Sequence, residues 1–233
     1  MTTTLLKFGK GNAKLNTAIA TFSLPSGYTC PFASACKSFA DKLTGTIKDA
    51  GGNLFRCFSA SQECVYPQVR AQRWHNFNLL QSVSDMAQLI NASLLKQDYI
   101  RVHVAGDFFS QDYFDAWMKV ATLNPSKTFY AYTKSIPYWV ARLGTIPANF
   151  KLTASFGGLH DELIEKNNLI SAKVVFSTQA AKDLGLEIDT DDSHAILNTK
   201  SFALLIHGTQ PKGSEASKAW QNVKKNEGGG YSK

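Results

Sequence analysis

The chain has 233 residues and a mass of 25.6 kDa, enough for one domain with a substantial core and too short for more than two small ones. With 44% hydrophobic and 18% charged residues, the composition excludes extensive disorder, and no apolar run approaches the roughly 20 residues of a membrane span. A formal charge of +7 and a pI near 9.2 admit nucleic acid as a partner, but the basic residues are scattered. Their one dense group, "KGSEASKAWQNVKKNE" from Lys212, reads as the solvated face of a terminal helix.

Nothing in the first thirty residues has the basic start, apolar core and small-residue cleavage site of a secretory signal, so a cytoplasmic location is expected. Residues 1–75 are rich in Gly, Ser, Thr and Ala, have poor periodicity, and read as a loop-dominated arm. This arm carries every cysteine of the chain: Cys30, Cys36, Cys57 and Cys64. In reducing cytosol, clustered thiols are more often metal or cluster ligands than disulfides. The spacings are Cys-x5-Cys, twenty residues, then Cys-x6-Cys, looser than the tight knuckles that present two thiolates to one tetrahedral zinc. A 4Fe-4S cluster takes its ligands at separate corners and accepts wider spacings, and Pro31 directly after Cys30 is a junction seen beside such clusters. An iron–sulfur cluster on these four cysteines is therefore the first expectation and zinc the alternative. The C-x3-C-x2-C loop of radical enzymes that use S-adenosylmethionine is missing. With all four cysteines bound the cluster would be closed, which favours structural support or electron transfer, and its attachment would order the arm.

From Gln81 the pattern changes to alternating strands and amphipathic helices. "SVSDMAQLINASLLKQ" sets Val83, Met86, Ala87, Ile90 and Leu94 at helical spacing, with Ser82 or Ser84 as N-cap. A strand follows at "DYIRVHVAGDFF". "SQDYFDAWMKVATLNP" opens on the N-cap Ser110 and stops before Pro125. "KTFYAYTK" is the next strand, then a short helix from Pro137 to Gly144. "FKLTASFGG", "AKVVFST" and "SFALLIHG" are further strands, with helices at "LHDELIEKN", "QAAKDLG" and "SEASKAWQNVKK". The expected fold is α/β: a mainly parallel sheet of βα units, in a partial or complete barrel, with the cysteine arm in front. The domain is single, with the arm at 1–75, the core at 76–223 and a disordered tail at 224–233.

In such sheets functional residues collect at the C-terminal strand ends. In "RVHVAGDF", strand alternation puts Arg101, His103, Ala105 and Asp107 on one face, either paired internally or functional, with His103 or Asp107 as a general base. Lys134 ends the next strand as a candidate anion or oxyanion holder, although an exposed rim lysine is the commoner outcome. Ser155 precedes a flexible "FGG" as a candidate hydroxyl nucleophile, without the G-x-S-x-G elbow. His207 ends its strand as a candidate acid or base partner. Trp74, Phe77, Trp117 and Trp139 have helix spacing and read as core.

"FSLPSGYTCPFASAC", "RVHVAGDFFSQDYFDAW" and "TFYAYTKS" together resemble a bacteriophage family named after gene product eighty-eight of a mycobacteriophage, over roughly positions 15 to 210. The most specific parts are "SLPxGxTCP" and the strand end "HVxGDF". The resemblance implies a barrel related to the radical-enzyme fold, cysteines that bind a metal or cluster, and the host cytoplasm as location. It carries no settled activity. The family pattern includes a second cysteine group near the C-terminus, whereas "HGTQPKGSEASKAW" has none, which puts any function of that group in doubt here. The expectation is a phage-type iron–sulfur protein with a strand-end pocket of His103, Asp107, Lys134 and Ser155, acting on a small-molecule substrate by ester hydrolysis. The alternatives are an electron-transfer module with a redox partner, or a zinc-stabilised nucleic-acid-binding protein.

Overall fold

The fold is a computed structural model that describes residues 4–11, 15 and 17–226. Its elements begin with β1 (Gly9–Lys10) and β2 (Ile19–Ser23), followed by a hairpin of β3 (Ser38–Ala40) and β4 (Ile47–Asp49). Helices α1 (Phe58–Val65), α2 (Pro67–Ser82) and α3 (Met86–Ser93) come next. The chain then alternates through β5 (Tyr99–Ala105), α4 (Gln111–Leu123), β6 (Thr128–Thr133), α5 (Ile136–Val140), β7 (Phe150–Ser155), α6 (Glu162–Lys166), β8 (Ser171–Val175) and α7 (Thr178–Asp183). It ends with α8 (Ser193–Leu197), β9 (Phe202–Leu205) and α9 (Glu215–Asn226).

Short polar side chains start these helices as capping chemistry requires. Ser110 Oγ accepts from the Tyr113 N–H at 3.2 Å to cap α4, which ends two residues before Pro125. Ser177 Oγ accepts from the Ala180 N–H at 3.1 Å to cap α7. The cap of α3 is Asp85, accepting from Gln88 N–H at 2.9 Å, and not Ser82 or Ser84.

Seven strands form one sheet in the order β1-β2-β5-β6-β7-β8-β9, and every pairing is parallel except β1 with β2. The six parallel strands thus stand in chain order, with no reversal. Right-handed crossovers along an unreversed order send the connecting helices to one face. That face carries the main core, where Phe22, Ile100, Val102, Phe129, Phe150 and Leu152 meet Leu80, Ile90, Phe114 and Trp117. On the other face Tyr130 and Phe202 meet Leu15, Ile19 and Ala195 of α8. The mainly parallel α/β sheet is as expected. Strand pairing ends at β1 and β9, and among the described residues no bond between those edges closes the sheet into a complete barrel.

Three differences from the sequence reading have physical causes. The arm contains a parallel strand, β2, and the start of the 16-residue α2, which runs on past its end to Ser82. Periodicity missed α2 because its buried side chains include Arg70, Arg73 and Asn76 beside Leu80, so the inward face is largely polar. Strand β5 does not alternate to its end: Thr21 pairs with Arg101 but Ser23 with Ala105, and His103 sits at φ +67°. This bulge turns the His103 ring away from the face of Arg101. Helix α9 reaches Asn226, inside the expected tail, while 227–233 lie outside the described residues.

Arg101, the charge that a central strand has to satisfy, pairs with Asp192 Oδ2 at 2.6 Å. The Tyr130 and Tyr132 hydroxyls donate to the same carboxylate at 3.1 and 3.2 Å. Among the described residues no helix is long and apolar enough to cross a membrane.

Candidate functional site

The chain leaves β2 at the C-terminal end of the sheet, where Leu24 N–H donates to Ala105 O at 2.9 Å. Thr29 Oγ1 donates to Pro25 O at 2.8 Å, and Cys30 N–H to Gly27 O at 3.3 Å, which folds "PSGYTC" into a tight turn. The loop then crosses to the end of β7, where the N–H groups of Ser34 and Ala35 share Gly157 O at 3.1 and 2.9 Å. Ser38 Oγ joins two cysteines, donating to Cys36 O at 3.3 Å and accepting from Cys57 N–H at 3.1 Å. The half-buried Cys30, Cys36 and Cys57 are thereby gathered on the strand ends. Burial, then the charges of Asp107, Cys57 and Cys36, push the Cys30 thiol well up. Burial, then Cys36, push Cys57 up to about 11.

Cys64 stands apart. It is exposed near the C-terminus of α1, whose N-cap is Cys57. Seven residues of helix are about 10 Å of rise. Two thiolates on one zinc, at about 2.3 Å each, are at most about 4.6 Å apart, so Cys57 and Cys64 cannot share one ion. The four thiols do not converge in this structure, and among the described residues no three His, Cys, Asp or Glu side chains are set to hold a single metal ion. A four-iron cube spreads its ligands over separate corners. Soft thiolates such as those of Cys30, Cys36 and Cys57 are donors that both such a cube and zinc accept.

Of the four residues expected in the strand-end pocket, three come together. Asp107 Oδ1 accepts from Thr133 Oγ1 at 2.6 Å and from its neighbour Phe108 N–H at 2.8 Å, while Oδ2 accepts from Lys134 N–H at 2.8 Å. Burial raises its pKa against the pull of these donors. Lys134 Nζ donates to Ser155 Oγ at 2.5 Å. His103 is elsewhere: it is buried among Phe22, Phe108 and Tyr113, with Nε2 at 3.0 Å from the Tyr113 hydroxyl, and burial pulls its pKa down to about 3. His207 turns back on its own strand, with Nδ1 at 3.0 Å from Leu205 O and its ring against Phe58. The hydrogen bonds described for these two imidazoles do not reach Ser155. Trp117 and Trp139 are core, whereas Trp74 stacks on the exposed Tyr28 beneath Lys42.

The sequence reading missed the anchor of the arm. Glu63 is fully buried on α1, where its Oε1 accepts from Ser26 Oγ at 2.7 Å, from Ser26 N–H at 2.9 Å and from Arg73 Nη1 at 2.7 Å. Arg70 of α2 reaches the Lys42 and Leu43 carbonyls. Ser59 Oγ donates to Val104 O and Ser61 Oγ to Thr209 O, so α1 links the ends of β5 and β9. The only advance signal was a glutamate and two arginines in a stretch that needed an external tie. One surface cavity lies on the β3–β4 hairpin and another between β2 and α1/α2, and neither of these is lined by a cysteine.

A family model described as Gene product 88 matches residues 3–224. The chain is similar to the Gene 88 protein of Mycobacterium phage L5, 31% identical over 138 residues, covering 53% of this chain and 51% of that protein. The chain thus spans about half the length of that curated relative. No solved structure matches.

Proposed function

The chain belongs to the Gene product 88 family, and on that premise we propose that it is an iron–sulfur protein whose cluster is held by Cys30, Cys36 and Cys57 at the mouth of an open βα barrel. The observation that carries this reading is the gathering of these three thiols, each within reach of the others' charge, where loop and strand ends meet. Soft thiolates on loops are the ligands such clusters use. The unreversed order of six parallel strands supports the barrel.

Cys30, Cys36 and Cys57 would hold the cluster, which would supply one-electron chemistry and, with three cysteines for four irons, room for an outside ligand. The chain's own residues do the rest. Glu63 and Arg73 hold the arm down, Ser38 fixes Cys36 relative to Cys57, and Asp107, whose charge reaches Cys30, accepts from the Lys134 N–H. Reducing cytoplasm suits thiolate ligation. A small-molecule substrate or a redox partner suits this site, and His103, buried away from it, does not serve ester hydrolysis as a base.

The test is purification without oxygen, followed by visible spectroscopy and iron, sulfide and zinc analysis. About four irons and four sulfides per chain are expected. Cys30→Ser, Cys36→Ser and Cys57→Ser should each lose most of the iron, and Cys64→Ser should keep it. Colourless protein with one zinc, or Cys57→Ser with full iron, overturns the proposal.

A further inference from the structure

We propose that Lys134 and Ser155 receive the carboxylate of a small-molecule ligand bound beside the three cysteines, an inference that rests on the strand-end site described above. Lys134 is only 7% exposed. Its Nζ is held inward, donating to Ser155 Oγ at 2.5 Å and Ser155 O at 3.4 Å. Among the described residues no carboxylate lies within 4.0 Å of this ammonium, although six lysine or arginine pairs with acidic residues occur elsewhere. The Asp107 charge is within reach of this ammonium but makes no contact pair with it, and a buried ammonium without a contacting anion is costly, whereas a lysine stem is long enough to carry its head to water when nothing holds it in.

The nearest acids are committed to backbone and hydroxyl donors. Both oxygens of Asp107 accept such bonds, and the Asp161 oxygens accept from the Gly157 and Gly158 N–H groups at 2.8 and 2.9 Å. The site adjoins the cysteine loop. A point built one carbon out from Gly157 lies 3.8 Å from Lys134 Cε and 2.8 Å from Ala35 Cβ, and Ala35 precedes Cys36. One ammonium and one hydroxyl match the single charge and two oxygens of a carboxylate. A phosphate dianion would add excess negative charge beside Asp107 and the thiolates.

The experiment titrates acetate, pyruvate and inorganic phosphate into the full chain, cluster-loaded and metal-free, following thermal stability and the electron paramagnetic resonance spectrum of the reduced cluster. Iron is measured on every sample. Saturable carboxylate binding is expected, tighter than phosphate, and at least about tenfold weaker in Lys134→Gln with iron content unchanged. Ser155→Ala, which removes only a hydroxyl, should weaken it in the same direction and guards against misfolding of the lysine variant. Equal binding by Lys134→Gln, tighter binding of phosphate, or no saturable carboxylate binding overturns the inference. Loss of iron in Lys134→Gln, from a parent that binds no carboxylate, assigns the ammonium to the cluster's own charge; the inference then falls while the cluster reading stands. Carboxylate binding through Lys134 in a chain that never takes up iron leaves the inference standing and removes the cluster.

Discussion

His103 was readable as a residue type and unreadable as a position. Alternation placed it with Arg101, but a backbone at φ +67° delivers its ring to an aromatic core, where Tyr113 is its hydrogen-bond partner. There its pKa falls to about 3, whereas in the unfolded chain it stays near 6.5. Below pH 6.5 the unfolded state therefore binds the extra proton, and stability should decline by about 1.4 kcal/mol per pH unit until roughly pH 3. Urea unfolding between pH 7 and 4 measures this slope. His103→Asn, which tolerates the left-handed backbone, should be less stable at pH 8 yet lose that part of the acid dependence; an unchanged slope refutes the assignment. The cysteines offer a second residue-scale outcome. Cys30 and Cys57 are held as thiols at neutral pH first by burial, then by Asp107 at Cys30 and by Cys36 at Cys57, so metal or cluster loading releases protons and tightens as pH rises. In metal-free protein treated with iodoacetamide, peptide mapping should find the exposed Cys64 modified first.

Among the elements, α1 and α2 decide where the cysteines go, and they do so with polar side chains. Removing one partner of a buried ion pair typically costs about 3–5 kcal/mol. Glu63→Ala should therefore destabilise by about 3 kcal/mol in denaturant titration, because it strands Arg73 and frees Ser26 together. Limited proteolysis should then cut within residues 24–66 before the sheet unfolds. The turn after β5 makes a sharper test. At Gly106, φ is +81° and an added Cβ would lie 2.5 Å from Thr29 Oγ1 and 2.7 Å from Leu24 Cβ, so the arm rests directly on this backbone. Gly185 has a similar φ of +66° with open space around it. Gly185→Ala should cost about 1 kcal/mol from backbone strain alone. Gly106→Ala should cost clearly more and loosen the arm; equal costs would show that the close approach does not matter.

On the scale of the whole molecule, a well-packed sheet carries an arm whose order depends on a few buried polar contacts. Hydrogen exchange on metal-free protein should protect β5, β6 and β7 strongly and residues 30–64 weakly, and cluster loading should slow exchange in the arm alone. Loading that leaves the arm unchanged would remove the cluster's structural role. Local signals determined much of this molecule. Capping serines, apolar alternation and Pro125 set α4, α7 and strands β5 to β9, because nearest-neighbour chemistry decides such elements. The same signals placed Asp107, Lys134 and Ser155 at adjoining strand ends and marked the arm as the bearer of the cysteines. Tertiary structure alone decided the rest. The bulge at His103 depends on pairing with β2, which is remote in sequence. The inward face of α2 is polar because its partners are a buried glutamate and backbone carbonyls supplied by other segments. Three of the four thiols come together because a loop crosses from β2 to β7 while helical rise carries Cys64 away, and spacing along a chain does not encode distance across a fold.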